Sequence, residues 1–259
     1  MLSMGRAATA AASAPWVVKV GRRRSRVPPR RALHRLELKA GLFDAFSTLM
    51  GGPIRVEEWP VDQASWRSIK DMKEGEPATF GAGCYWGTEK FYARDFEAKH
   101  PGSILASAVG FMSPDPNAVA NPTYTAVCTG MTSHVEVVHL RFNPEVASYE
   151  DLCRFLFTFH DPTTLNQQGN DRGTQYASVI FAHSEAQLET ANKVKEEVQA
   201  LLSAGKLAGA GFRGKEVTTQ VVKANEYFNA TRDHQRYLEL QPGGYCNHRE
   251  RFSWDQVSP

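Results

Sequence analysis

The sequence predicts a mixed fold of strands and helices, on three observations. Residues 103–111, 134–142 and 216–224 alternate along the chain with a period of two, as half-buried strands do. Two runs open on serine caps, Ser148 for 148–159 and Ser184 for 184–203, and a third, 85–99, sets Phe91 and Phe96 at helical spacing. The order begins strand, helix, strand, which fits several α and β arrangements and selects none of them.

The first 36 residues carry Arg6, Lys19, Arg22, Arg23, Arg24, Arg26, Arg30, Arg31 and Arg35 and no acid, although the 259-residue chain has a net charge of only +2. An Arg-rich, acid-free stretch containing Ala and Ser reads as a mitochondrial or chloroplast transit peptide, with a basic nucleic-acid arm as the alternative. Targeting is preferred, because the leader lacks interleaved aromatics and the rest of the chain shows no basic face. Residues 37–76 read as a linker or wrapping segment: 42–46 form a short amphipathic stretch, Gly51-Gly52-Pro53 breaks it, and Trp59 and Trp66 are packing anchors. The catalytic domain is expected over 77–246, with 247–259 as a C-terminal tail. No apolar run approaches the ~20 residues needed to cross a bilayer, so a membrane is not an expected partner, and without a basic face beyond the leader neither is nucleic acid.

A short strand at 77–80 leads into Gly81-Ala82-Gly83-Cys84-Tyr85-Trp86-Gly87, and a helix to about 99 follows. A cysteine at that junction sits beside unpaired N–H groups and the positive end of the helix dipole, which favour a thiolate. The flanking glycines are expected to let a substrate approach the sulfur, with Tyr85 and Trp86 as an apolar wall. The glycines do not make a dinucleotide loop, since G-x-G-x-x-x-G misses the spacing. His100-Pro101-Gly102 stops the helix, and 112–122 is a surface loop rich in Pro, Asn and Asp.

In the strand 134–142, Glu136 shares a face with Val138, Leu140 and Phe142. An apolar setting disfavours the ionised carboxyl, raises its pKa and leaves a proton donor near neutrality. Cys128, in an apolar strand-like stretch, and Cys153, among Leu152, Leu156 and Phe157, read as structural. The polar loop from 160 to 174 is either plain surface or a site rim, with Asp171 and Tyr176 as rim candidates. After a strand over 176–183, 231–240 reads as a last helix, and 241–246 as flexible, so that Cys246 behind two glycines can swing as a resolving thiol must. None of the four cysteines forms C-x-x-C and the histidines show no matching ligand spacing, so neither a metal site nor a cofactor is expected.

Gly83-Cys84-Tyr85-Trp86-Gly87 resembles the GCFWG signature of the peptide methionine sulfoxide reductase A family. The resemblance continues through Asn121-Pro122-Thr123-Tyr124, Val127-Cys128-Thr129-Gly130, His134-Val135-Glu136-Val137-Val138, His160-Asp161-Pro162 and 169–176. It implies an α+β, ferredoxin-like two-layer sandwich, its mixed or mostly antiparallel sheet covered by helices. It also implies thiol-dependent reduction of methionine S-sulfoxide, free or in proteins, by a monomer served by a thioredoxin-type reductant. Carried over residue by residue, Cys84 is the nucleophile, Glu136 the acid, Tyr124, Asp171 and Tyr176 the oxygen-binding groups, Tyr85 and Trp86 the methyl pocket, and Cys246 the resolving thiol. The chain departs from the pattern in three places: tyrosine stands at 85 for phenylalanine, Ser133 for glycine, and no second cysteine follows Cys246. Two other readings remain open on the residues: a cysteine hydrolase or acyltransferase using His134 or His160 as base, and a non-enzymatic redox switch.

Overall fold

The structure, a computed structural model, describes Trp66 and residues 68–257. The leader, the 42–46 stretch and Trp59 lie outside the described residues. The strands are β1 (Glu76–Ala82), β2 (Ile104–Met112), β3 (Val135–Phe142), the short hairpin β4 (Gln167–Gln168) and β5 (Asp171–Arg172), β6 (Ser178–Ala182), β7 (Gln220–Lys223) and β8 (Tyr227–Asn229). Six of them form one mixed sheet in the order β7–β6–β1–β3–β2–β8, antiparallel throughout except for the parallel pair β6–β7.

Helix α1 joins β1 to β2 and runs through Tyr85–Lys90, a wide π turn at Phe91–Phe96 and a last turn at Glu97–Lys99. Helix α3 (Tyr149–Phe159) joins β3 to β6 and starts on a full capping box between Ser148 and Asp151. Each crossover brackets a strand of the other unit, because β3 lies between β1 and β2 while β1 lies between β3 and β6. Helix α4 (Glu185–Ser203), N-capped by Ser184, returns the chain to β7.

One sheet face carries Phe80, Val138, Leu140, Phe142 and Ile180, packed under Phe91, Tyr92 and Phe96 of α1, Leu152, Leu156 and Phe159 of α3, and Val194 and Val198 of α4. The other carries Met112, Val135, Val137, Val179 and Phe181 under Trp66, Ile69 and Tyr227. Both faces are therefore covered, and β3 is buried along its whole length. Its polar residues on the second face are paired: His139 Nδ1 lies 2.7 Å from Thr79 Oγ1, and Arg141 donates to the carbonyls of Glu74 and Gly75.

Several expected elements come out differently. The helix expected at 231–240 is a 3₁₀ turn, Arg232–His234, and a separate turn α5, Tyr237–Leu240. Between them Gln235 uses its side chain as a strand would, accepting from Val109 N–H at 2.8 Å and donating to Val109 C=O at 2.8 Å, and Arg236 turns left-handed at φ 54°. A helix cannot continue through those two residues. The strand expected at 216–224 is ordered as one only over Gln220–Lys223. Cys128 is not in a strand: it ends the short helix α2, Tyr124–Cys128, and is exposed. Residues 247–257 pack on the core, with Phe252 and Val257 joining the main apolar cluster and α6 formed by Trp254–Val257.

Candidate active site

The turn from β1 into α1 places Cys84 at the helix N-cap, 7% exposed and unpaired. The N–H groups of Trp86 and Gly87 pull its pKa down, as a helix end should. Burial outweighs them, and the charge of Glu136 adds to burial, so the thiol is pushed up and not down. The expectation that the helix end sets the thiol's acidity is corrected accordingly: burial outweighs the N–H groups and raises the Cys84 pKa.

Glu136 enters from β3, 2% exposed, and one carboxyl oxygen accepts the N–H of Tyr85, the residue after Cys84, at 3.2 Å. Burial raises its pKa to about 8, the Tyr85 N–H lowers it and the charge of Asp171 raises it further. Tyr124 opens α2, whose N-cap Thr123 accepts from Ala126 N–H at 3.2 Å. Tyr176 closes the 3₁₀ turn Thr174–Tyr176 and packs on the apolar cluster of Cys84, Tyr85, Val109, Phe111, Val127 and Ala230. Both phenols are raised first by burial, and both feel Glu136 and Cys84. The thiol, the carboxyl and the two phenols are thus close enough to act on one another electrostatically.

The aromatic residues divide in two. Trp86 is half-buried, stacked on Tyr237 of α5 at 3.9 Å between centroids and on His234 at 5.6 Å. Tyr85 lies beneath, 1% exposed, against Phe111 and His234, its hydroxyl buried with no hydrogen-bond partner among the described residues. Trp86 is the partly exposed ring of the pair, and Tyr85 is covered. Sequence reasoning missed His234, which also lies 4.6 Å from the Tyr124 ring, and Glu89, a buried carboxyl raised to about 7 by burial. Glu89 accepts from Arg236 N–H at 2.7 Å and Ser107 Oγ at 3.1 Å, and so fixes the left-handed turn that lays Tyr237 on Trp86. A carboxylate at the fifth position after a reactive cysteine, on the helix face of Trp86, was the available signal.

Asp171 reaches the rim, but its oxygens are taken by the C-terminal segment and not by Tyr124 or Tyr176. Oδ1 accepts from Tyr245 Oη at 3.1 Å and Oδ2 from Asn247 Nδ2 at 2.7 Å. Cys246 stands between those two residues, half-buried and unpaired. The glycines beside Cys84 do not serve the open approach expected of them. A Cβ on Gly83 would lie 2.4 Å from the Gln168 side chain, and one on Gly87 would lie 2.1 Å from His248 Nδ1. They admit the polar loop and the C-terminal segment. Ser133 has a left-handed φ of 58°, a conformation that glycine adopts at no steric cost.

Neither histidine proposed as a base hydrogen-bonds the sulfur. His134 Nδ1 lies 2.8 Å from Thr132 O, and His160 spans Leu156 O at 2.7 Å and Ser178 Oγ at 2.8 Å. Among the described residues no cluster of three or more His, Cys, Asp or Glu is placed to hold a metal, and no helix is long and apolar enough to cross a membrane.

A family model described as peptide methionine sulfoxide reductase matches residues 76–258. A probable peptide methionine sulfoxide reductase of Schizosaccharomyces pombe is 39% identical over 178 residues, 69% of this chain and 96% of the relative. A peptide methionine sulfoxide reductase MsrA of Methanoculleus marisnigri is 42% identical over 174 residues, 67% and 95% of the two chains. Among solved structures, reduced Mxr1 of Saccharomyces cerevisiae is similar with a TM-score of 0.59 at 35% identity, covering 68% of this chain and 92% of that one. Methionine sulfoxide reductase A of Corynebacterium diphtheriae gives a TM-score of 0.58 at 33% identity, covering 75% and 88%.

Proposed function

The chain belongs to the peptide methionine sulfoxide reductase family, an oxidoreductase that reduces methionine sulfoxide with thiols, and from that premise we propose how this site does it. The observation that carries the proposal is the Glu136 carboxyl accepting the N–H beside Cys84 at 3.2 Å, in a buried setting that raises the pKa of both groups. Sulfoxide oxygen leaves sulfur poorly until it is protonated. The Cys84 sulfur attacks the sulfoxide sulfur as Glu136 passes its proton to the oxygen, and the thiol proton refills the carboxyl. Oxygen then ends on Cys84 as a sulfenic acid and methionine leaves, so one thiol proton and one oxygen balance the step. Tyr124 and Tyr176 donate to the oxygen as charge builds there, and Trp86 borders the S-methyl group.

The sulfenic acid condenses with Cys246, releasing water and forming a disulfide that a thioredoxin-type dithiol reopens. The disulfide is reduced directly as the Cys84–Cys246 bond. The substrate is the S epimer, free or in proteins, and the enzyme acts as a monomer. The interleaved crossovers and the core order β6–β1–β3–β2 support a ferredoxin-like two-layer frame, extended by β7 and β8. One equivalent of methionine S-sulfoxide without reductant is expected to yield one methionine and a Cys84–Cys246 peptide on mass spectrometry. No methionine, or a bridge from Cys84 to Cys128, would overturn the scheme.

Residues 1–36 act as a targeting leader for chloroplast or mitochondrion, on the support of their arginines and lack of acids. Fused to a fluorescent reporter, they are expected to carry it into one of these organelles; a reporter left in the cytosol would remove the proposal.

A further inference from the structure

The chain around Cys246 is tied both to the hairpin β4–β5 and to the end of β1, the strand that leads into Cys84. Before the thiol, Tyr245 donates to Asp171. After it, Asn247 Nδ2 donates both to Asp171 and, at 2.7 Å, to the carbonyl of Gln168. His248 then lies 2.6 Å from the carbonyl of Ala82 through Nε2, two residues before Cys84, with its ring filling the space left by Gly87. Gln168 in turn covers Gly83, and Gly169 leaves room for Asn247, whose side chain a Cβ there would meet at 3.2 Å. Upstream, Gly243 faces open space, since an added Cβ would meet nothing within 4 Å.

We propose that Tyr245, Asn247 and His248 form a clasp, closed on Asp171, Gln168 and Ala82, that positions Cys246 for attack on the sulfenic acid at Cys84. Asn247 and His248 are positioning residues for the resolving step and take no part in oxygen transfer. This rests on the reading that Cys84 and Cys246 join. The step itself is Cys84–S–OH plus Cys246–SH giving the disulfide and water, and a thiol held beside its target reacts far faster than one on a free tail. Asn247 holds two of the ties with one amide. Replacing it by alanine opens the clasp on the C-terminal side, and replacing it by aspartate sets a second carboxylate against Asp171.

The test is a single turnover with methionine S-sulfoxide, following methionine release and, by dimedone capture and mass spectrometry, the sulfenic acid on Cys84. Asn247→Ala is expected to release the first methionine at the wild-type rate, while in Asn247→Ala and Asn247→Asp alike the sulfenic acid, followed from its formation, lasts about tenfold longer, the scale of one hydrogen bond to a charged group. For Asn247→Asp the delay is expected to shrink as pH falls and one carboxyl protonates, which a merely unfolded tail would not do. Tyr245→Phe, which removes only one hydroxyl, is expected to show a smaller delay in the same direction. Sulfenic acid consumed at the wild-type rate in both Asn247 variants would overturn the clasp. Cys246→Ser separates the two readings: a long-lived sulfenic acid there upholds the pairing, whereas rapid loss in Cys246→Ser would remove the pairing and the clasp together.

Discussion

Glu136 is a buried acid whose proton decides both chemistry and stability. As the proton donor it works while protonated, so the rate of the oxygen-transfer step is expected to fall as pH rises through about 8. Glu136→Gln keeps the shape and the acceptor for Tyr85 N–H but has no proton to give. Methionine formed in a single turnover is expected to drop by about 10²-fold or more; a near-normal rate would exclude the carboxyl from the reaction. The same variant has an opposite effect on stability. Below the ordinary carboxyl value both folded and unfolded chains hold the proton, and Glu136 carries no penalty. Between there and about 8 the folded chain keeps a proton the unfolded chain releases, so stability falls with pH by at most ~1.4 kcal/mol per unit. Glutamine has no such term. The melting temperature of Glu136→Gln is therefore expected to exceed that of wild type by a margin that widens from pH 5 to 8, and a constant margin would mean that this carboxyl is not held protonated.

At the scale of elements, the β1–α1 turn is shaped as much by what packs over it as by what reacts within it. Gly87→Ala drives a methyl group into the His248 ring and is expected to cost on the order of 1–3 kcal/mol, as overpacking does. Gly87→Ala with His248→Ala is expected to recover part of that loss, and a double variant no more stable than Gly87→Ala would separate the two residues energetically. The contact explains what was legible in the sequence and what was not. The strand of Glu136, the helix capped by Ser148 and the helix capped by Ser184 each write their periodicity and caps within a dozen or so residues, and all three stand close to where those signals put them. The 3₁₀ turn before Gln235 and the left-handed Arg236 answer to partners 126 and 147 residues away, Val109 and Glu89, and local pattern holds no trace of them. Cys84 failed in the same way. Its place at a helix end was readable, but the apolar cluster that buries it, with Val109, Phe111 and Ala230, and the Glu136 charge that adds to the upward shift come from other strands and loops.

For the whole molecule, the consequence lies in the last residues. A boundary at Cys246 follows from reading only the chemistry, yet the chain beyond it carries structure. Arg249 N–H donates to Phe159 C=O at 3.2 Å, Arg251 N–H to Thr158 C=O at 2.8 Å and Trp254 Nε1 to Arg154 C=O at 2.9 Å, so the segment extends along the end of α3. Phe252 and Val257, each 8% exposed, sit in the same apolar cluster as the sheet. Burying two such side chains contributes on the order of 3–6 kcal/mol, against a total folding stability of roughly 5–15 kcal/mol for a domain of ordinary size. Removing 247–259 keeps both sulfurs and the Glu136, Tyr124 and Tyr176 side chains, but it takes away the His248 carbonyl that accepts from Cys246 Sγ, the clasp and a large share of that margin. The truncated chain is expected to unfold at much lower temperature or denaturant than the full chain, and what remains folded is expected to release the first methionine while resolving its sulfenic acid slowly. A truncated chain with an unchanged melting temperature and rapid disulfide formation would show that neither the fold nor Cys246 depends on the segment that follows it.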